Sequence, residues 1–163
     1  MTSSKNALTA CCVLALTLTV IALGSEEKRQ TQVARPAFSA GLTSSLNVSD
    51  HVNVTYDRVF TNVGNVYDPQ TGVFTVPLNG TYTILFHALA EYSGMLWLDL
   101  YRNSQYITSA YAHIEGQYGA ASNSITITLA KGDEVYITGH GSSILYGNPN
   151  EVYATFTGYM LFS

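Results

Sequence analysis

Cysteine is almost missing from this 163-residue chain. The two that exist, Cys11 and Cys12, lie in an apolar segment running from Ala7 to Leu23. Lys5 stands before that segment, and Ala22 and Gly24 put small residues at its end. A positive start, an apolar run and a small-residue close make the pattern of a secretory signal peptide over 1–24. As a membrane anchor the run is at the short end for spanning a bilayer, and no strong positive cluster follows it at once. Cleavage leaves 139 residues (163 less 24) with no cysteine and no membrane span. A secreted chain without disulfides depends on its core or on assembly. Its length suffices for a core, since about two thirds of the unfolded surface is buried at this size.

Charge is also scarce. Charged residues make up 11% of the chain, against roughly 25% in typical domains. Without Lys5 there are six Lys/Arg against eleven Asp/Glu, a net charge of −5 with histidine neutral. No basic patch or stripe occurs, which argues against a nucleic-acid partner. Gly-X-Y runs, heptad arrays and internal repeats are absent, so the sequence shown has no collagen stalk and no coiled coil. Helical periodicity of useful length is absent after residue 35. Residues 25–34, SEEKRQTQVA, read as a short polar linker.

What is present is tyrosine, with twelve residues between Tyr56 and Tyr159. Tyrosine fills strands well, and its apolar ring with a polar tip also suits interfaces. Short β-rich runs are punctuated by Asp68-Pro69-Gln70-Thr71-Gly72, Asn79-Gly80, Lys131-Gly132-Asp133 and Gly147-Asn148-Pro149. That rhythm predicts an all-β sandwich or jelly roll. Two runs alternate cleanly. Ile125, Ile127 and Leu129 oppose Ser124, Thr126 and Thr128; Leu96, Leu98 and Leu100 oppose Trp97, Asp99 and Tyr101.

Three other runs, 81–90, 134–139 and 152–162, are apolar on both faces. In the first, Tyr82, Ile84, Phe86, Ala88 and Ala90 oppose Thr83, Leu85, His87 and Leu89. In the last, Val152, Ala154, Phe156, Met160 and Phe162 oppose Tyr153, Thr155, Thr157, Tyr159 and Leu161. A two-layer sandwich covers only one face of each sheet, so a second cover is expected. Copies of the same protein are the favoured cover; long loops folding over the sheet are the alternative.

The stretch from Tyr56 to Phe86 resembles the globular head domain of complement C1q. The residues that carry the resemblance are Asn62, Tyr67, Phe74, Gly80, Tyr82 and Phe86. Tyr56 and Ile84 stand where the family usually has Phe. "AFSAGL" (37–42), "LYRNSQ" (100–105, with Ser104 in place of Gly), "LAKGDEVYI" (129–137) and "FTGYMLF" (156–162) resemble further landmarks in the right order. The likeness covers residues 35–163. It implies a ten-stranded jelly-roll sandwich of the kind shared with tumour necrosis factor, and a homotrimer. It also implies an inner sheet holding all three of the doubly apolar runs.

Asn79-Gly80 is expected to be a tight turn in which Gly supplies positive φ. Asn47, Asn53 and Asn79 head glycosylation sequons. Chemistry is not expected. His51, His87, His113 and His140 lack zinc-site spacing, and His87 is expected to be packed and hydrogen-bonded. His140 adjoins Ser142 and Ser143 in a Gly-rich loop, but adjacency is not triad geometry. Asp99, Glu115, Asp133 and Glu134 pair as a dyad only if the fold brings them together. No cofactor is expected; calcium, which some heads of this family hold, has candidates in Asp50, Asp57, Asp68, Asp133 and Glu134.

The resemblance therefore implies a secreted, trimeric, stalkless recognition module of innate immunity. Its ligands would be microbial or surface carbohydrate, lipopolysaccharide or protein. Exposed loops over 111–121 and 140–148 are the expected contact. The alternatives are a structural or adhesive matrix protein and a receptor-binding ligand of cerebellin or adiponectin type.

Overall fold

The computed structural model of the chain describes residues 34–163 except Ser93. The signal peptide expected over 1–24 and nearly all of the polar linker 25–34 lie outside the described residues. The described chain is built from twelve strands and contains no helix. They are β1 (Ala37–Gly41), β2 (Leu46–Val48), β3 (Arg58–Val63), β4 (Tyr67–Asp68), β5 (Val73–Thr75) and β6 (Gly80–Leu89). They continue with β7 (Met95–Arg102), β8 (Gln105–His113), β9 (Ala120–Leu129), β10 (Glu134–Gly139), β11 (Ser143–Leu145) and β12 (Thr155–Phe162).

Ten of these strands form two five-stranded antiparallel sheets. Sheet one has the order β3-β1-β12-β6-β9, and sheet two has β4-β5-β10-β7-β8. β11 and β2 add a small two-stranded ribbon. The jelly-roll expectation holds, with the ribbon as an addition.

Period-two alternation decides which side chains enter the core. Tyr82, Ile84, Phe86 and Ala88 of β6 turn inward and are buried, as do Leu96, Leu98 and Leu100 of β7. The two layers meet on Phe38 of β1. Its ring stacks on Tyr67 at 5.1 Å and packs against Phe74 and Phe156 at 4.8 Å each. Aromatic rings at such separations add to their burial energy. Gly158 of β12 leaves the room that Phe38 needs, since a Cβ there would lie 2.5 Å from the Phe38 ring.

Three expectations need correction. First, β10 belongs to sheet two, not to the sheet of β6 and β12. Its run is closed on both sides by the chain itself. β7 flanks one edge, and residues 51–54 flank the other beyond β5. Val54 N–H donates to Ile137 O at 2.8 Å, and Gly139 N–H donates to Val52 O at 3.1 Å. This is edge pairing and not cover of a face: outward Tyr136 and Thr138 of this strand still line a surface hollow of sheet two.

Second, Phe162 is 59% exposed, because a register shift between Met160 and Phe162 breaks the alternation of β12. Third, Asn79-Gly80 is not a hairpin turn. It lies on the crossover from β5 in sheet two to β6 in sheet one, and neither residue has positive φ. Gly80 is required by close approach instead: a Cβ would lie 2.7 Å from the Phe162 carbonyl oxygen and 2.9 Å from Met160 Cε.

The Gly132-Asp133 turn is the fold's one buried ion pair among the described residues. Asp133 is 7% exposed and meets Arg102 Nη2 at 2.7 Å. It also accepts from Ala130 N–H at 2.8 Å and from Asn103 Nδ2 at 2.6 Å. Burial pushes its pKa up, but these hydrogen bonds and the guanidinium outweigh that and hold it below the usual aspartate value.

Two outcomes follow for stability. Gly80→Ala forces backbone against the last strand and should cost about 1–3 kcal/mol in urea unfolding. Asp133→Asn should cost a similar ~1–3 kcal/mol at neutral pH. Because the folded pKa is depressed, the carboxylate's contribution is complete above about pH 5. It is lost as pH falls through the ordinary aspartate range near ~3.9 and below. The gap between wild type and Asp133→Asn should therefore close toward about pH 2–3; a gap constant with pH would contradict the assignment.

Candidate binding surfaces

Each sheet turns one face away from the core, and the two outward faces differ in chemistry. On sheet one, strands β1, β12, β6 and β9 contain no Asp, Glu, Lys or Arg at all. Their outward positions carry hydroxyl and apolar groups. Ser39 bonds Thr157 across strands at 2.9 Å, and Thr83 bonds Thr126 at 3.2 Å. Leu85 and Tyr159 stand between them, 37% and 39% exposed. The face is wetter than the sequence expectation, since threonine and serine hold much of it. It is nonetheless free of formal charge, which is the compositional mark of an interface centre.

A shallow depression of about 600 Å³ crosses this face, lined among others by Leu85, His87, Ser124, Thr157 and Tyr159. His87 is half-buried here on the outward face. The expectation of a packed, hydrogen-bonded histidine meets a half-buried one: residue 87 falls on the outward phase of β6, between buried Phe86 and Ala88.

The outward face of sheet two is a patterned surface. Strand register sets its rows. Asp99 of β7 stands opposite Thr138 of β10 and Ser109 of β8. One step along, Tyr101 stands opposite Tyr136 and Tyr106. On the other side, Trp97 stands opposite Tyr111. A polar row is thus flanked by two aromatic rows. Tyr101 and Tyr136 stack nearly parallel at 5.9 Å, and Tyr101 meets Tyr106 edge-on at 6.2 Å. Trp97 stacks on His140 at 3.8 Å and meets Tyr111 edge-on at 5.3 Å. Ser143 holds the Trp97 backbone, accepting from its N–H at 2.9 Å and donating to its carbonyl at 3.0 Å.

Asp99 is 3% exposed in the middle of this face. One carboxylate oxygen accepts from Ser109 Oγ, and the other lies 2.8 Å from His140 Nδ1. Ser109 Oγ also shares a hydrogen bond with Tyr106 Oη at 2.9 Å. The carboxylate sits between the serine and the histidine. In a nucleophilic triad the histidine must sit between the other two, so this arrangement does not activate Ser109. Desolvation, followed by the neighbouring Asp99 charge, holds the Tyr101 phenol above its usual pKa and keeps it a donor at neutral pH.

The other residues singled out in the sequence fall in scattered places. Asn62 clamps the β3–β4 turn: its Oδ1 accepts from Val66 and Tyr67 N–H at 2.8 and 3.0 Å, and its Nδ2 donates to Tyr67 O at 2.8 Å. The Tyr67 hydroxyl accepts from Tyr56 N–H at 3.1 Å; burial pushes its pKa up to about 12. Tyr56 is wholly buried, with its own pKa driven up by burial and its hydroxyl unpaired. Phe74, Tyr82 and Phe86 are core. The family signature is therefore structural.

The calcium candidates do not converge. Asp57 binds Thr43, Asp68 caps Gln70 N–H, Asp133 binds Arg102, and Asp50 accepts from Gly141 N–H at 3.1 Å. Asn47 and Asn79 are exposed; Asn53 is half-buried and donates to Thr71 O at 3.1 Å. The loop stretches 111–121 and 140–148 split between two places. Tyr111 and His140 join the face of sheet two. Tyr118 and Tyr146 meet edge-on at 5.5 Å and, with Leu89 and Tyr153, line a hollow of about 210 Å³. Sequence reasoning passed over Asp99, Ser109 and Thr138 as one row. Alternation placed Asp99 outward, but only register reveals what stands beside it.

Comparison with known proteins agrees with this architecture. The C1q domain family matches residues 37–161. Caprin-2 of Danio rerio is 34% identical over 131 residues, covering 78% of this chain and 14% of that protein. Human complement C1q tumor necrosis factor-related protein 3 is 31% identical over 128 residues, covering 77% of this chain and 51% of its own length. The chain thus spans about half, or far less, of these relatives. Among solved structures, the globular domain of zebrafish complement 1qA protein superposes with a TM-score of 0.65 at 25% identity, covering 77% of this chain and 97% of that one. Eiger TNF from S. frugiperda shares the fold at a TM-score of 0.63 and 13% identity, covering 78% of this chain and 92% of that one. A sandwich of this strand order, closed by these aromatic residues and matched over residues 37–161, makes the chain a member of the C1q domain family.

Proposed function

We propose that this protein is a secreted, trimeric recognition module that binds surface ligands, carbohydrate among them, in innate defence. The observation that carries the trimer is the charge-free outward face of sheet one. Four adjacent strands without one Asp, Glu, Lys or Arg are unusual for a surface meant to stay in water. A neighbouring copy covers such a face at little desolvation cost, because no ion has to be stripped of water. Each large side chain buried there contributes about 1.5–3 kcal/mol. The names of the relatives, complement C1q and tumor necrosis factor-related proteins, support an oligomeric recognition or signalling role.

The apolar segment 7–23 and the sequons at Asn47, Asn53 and Asn79 support export and glycosylation. Asn47 and Asn79 are the accessible acceptors. The mechanism is avidity. Three weak sites on one rigid body raise overall binding by about 10²–10⁴ fold over a single site. No catalytic step is assigned.

Light scattering on the secreted protein tests the assembly. The expected mass is three times that of one chain, unchanged by dilution to micromolar concentration. Leu85→Arg places a charge in the centre of the covered face and should yield monomers. A wild-type monomer, or a Leu85→Arg trimer, would contradict the proposal.

A further inference from the structure

Four tyrosines meet at one end of the sandwich, where β6 and β9 give way to loops. Tyr92 follows β6, Tyr118 precedes β9, and Tyr146 and Tyr153 lie between β11 and β12. Their rings stand at steep angles to one another. Tyr118 meets Tyr92 edge-on at 5.7 Å and Tyr146 edge-on at 5.5 Å. Tyr146 is tilted by 60° against Tyr153 at 5.7 Å. Together with Leu89, the rings of Tyr118, Tyr146 and Tyr153 wall the hollow of about 210 Å³.

Backbone hydrogen bonds hold these walls in place. Ala90 N–H donates to Gly119 O at 2.6 Å, and Tyr146 N–H donates to Leu89 O at 2.7 Å. Both loops are thus pinned to the end of β6. The turn before Tyr153 is closed by Asn150 N–H on Asn148 Oδ1 at 2.9 Å and by Glu151 N–H on Asn148 O at 3.3 Å. Walls set in this way lose little conformational freedom when a ligand arrives.

Size, shape and charge narrow the ligand. The volume lies below the roughly 300–1,000 Å³ of pockets for drug-sized molecules, so the group that enters is small. Rings at steep angles make a box and not a flat platform, which suits a rounded group. Their faces carry the negative side of the ring quadrupole. No Lys or Arg lines the hollow. Lys131 and Arg102 lie at the Gly80 end of the sheets, and Arg35 lies there too, against Leu161 O. Arg58 stands on β3, two strands from β12. A carboxylate is at hand instead, since Glu151 Oε2 accepts from Tyr153 Oη at 2.9 Å. That hydrogen bond, and then the charge behind it, hold the Tyr153 phenol above its usual pKa, so the ring stays neutral. A cation is therefore the complementary charge. A primary ammonium brings three N–H groups that need acceptors. Here Tyr153 Oη is engaged by Glu151, and Tyr146 Oη accepts from Asn148 Nδ2 at 3.4 Å. A quaternary ammonium has no N–H, and its methyl groups pack on rings.

We propose that this hollow is an aromatic cage for a quaternary ammonium group, in which a trimethylammonium cation lies against Tyr118, Tyr146 and Tyr153 beside the Glu151 carboxylate. A cation within about 6 Å of a tyrosine ring is attracted by the ring's quadrupole, and several rings add their attraction. One chain supplies every wall. The site therefore goes beyond the recognition reading above and does not depend on assembly.

The test is a nuclear magnetic resonance titration of the isotopically labelled protein. The probes are choline, tetramethylammonium and dimethylbutanol, the neutral carbon isostere of choline. Both cations should shift the Tyr118, Tyr146 and Tyr153 signals saturably, and the isostere should bind at least about tenfold more weakly. Tyr118→Leu keeps an apolar wall and removes the ring. Tyr118 is 50% exposed, so the fold tolerates the change, and choline affinity should fall about three- to tenfold. Glu151→Gln should weaken choline and leave the isostere unchanged. Vesicles of phosphatidylcholine separate the sources of the cation. Sedimentation with them, reversed by free choline, identifies a lipid headgroup; choline binding without sedimentation identifies a free cation.

Equal affinity for choline and its isostere, shifts away from this end of the sandwich, or unaltered choline affinity in Tyr118→Leu would overturn the cage. So would the absence of a saturable shift with either cation. None of these outcomes bears on the trimer, which light scattering tests separately.

Discussion

The fold depends on one contact, the Phe38 ring held between two sheets. It stacks on Tyr67 and packs against Phe74 from sheet two, and it meets Phe156 from sheet one. Gly158 gives up a side chain so that the ring fits. Asn62 then locks the turn that carries Tyr67, and Tyr67 in turn bonds the backbone of Tyr56. Few charges help, and no cysteine stands among residues 34–163. A sandwich of this kind is stabilised by aromatic burial and by close approach of glycine-bearing backbone.

Closing the core this way leaves two outward faces to be used. They are chemically unlike. One is flat, rich in threonine and serine, and without formal charge over four strands. The other has aromatic rows on both sides of a polar row built on a buried carboxylate. A charge-free face is cheap to cover with another copy. A patterned aromatic face, with hydrogen-bonding groups between the rings, is suited to selecting a small polar ligand. Under the proposed function, one side of a protein of low charge would assemble and the other would recognise.

Much of this was legible in the residues. Alternation in β7 and β9 assigned the core face and the wetter face correctly, because period two is read directly from the chain; in β6 it separated two faces without saying which of them is inward. The family signature was legible too, although its residues prove to be packing and turn groups. Three features were not. Gly80 looked like a positive-φ turn residue, but its need arises from the Phe162 carbonyl, 82 positions away in sequence. The run of β10 looked like a strand of the assembly sheet, but it pairs with β5 and β7 in the opposite sheet. The row of Thr138, Asp99 and Ser109 exists only through the register of three strands, and periodicity within one strand is silent about register. Tyr56 shows a subtler limit. Replacing the family's phenylalanine with tyrosine keeps the apolar body yet leaves a buried hydroxyl unpaired.

The most direct test of the division between the faces is hydroxyl-radical footprinting of the intact protein in solution. In an isolated chain Leu85 and Tyr159 are as open to labelling as many surface residues, at 37% and 39% exposure. Protection of both, with strong labelling of Tyr106 and Tyr111 on the opposite sheet, is the predicted result. Equal labelling of the two sheets would contradict the account.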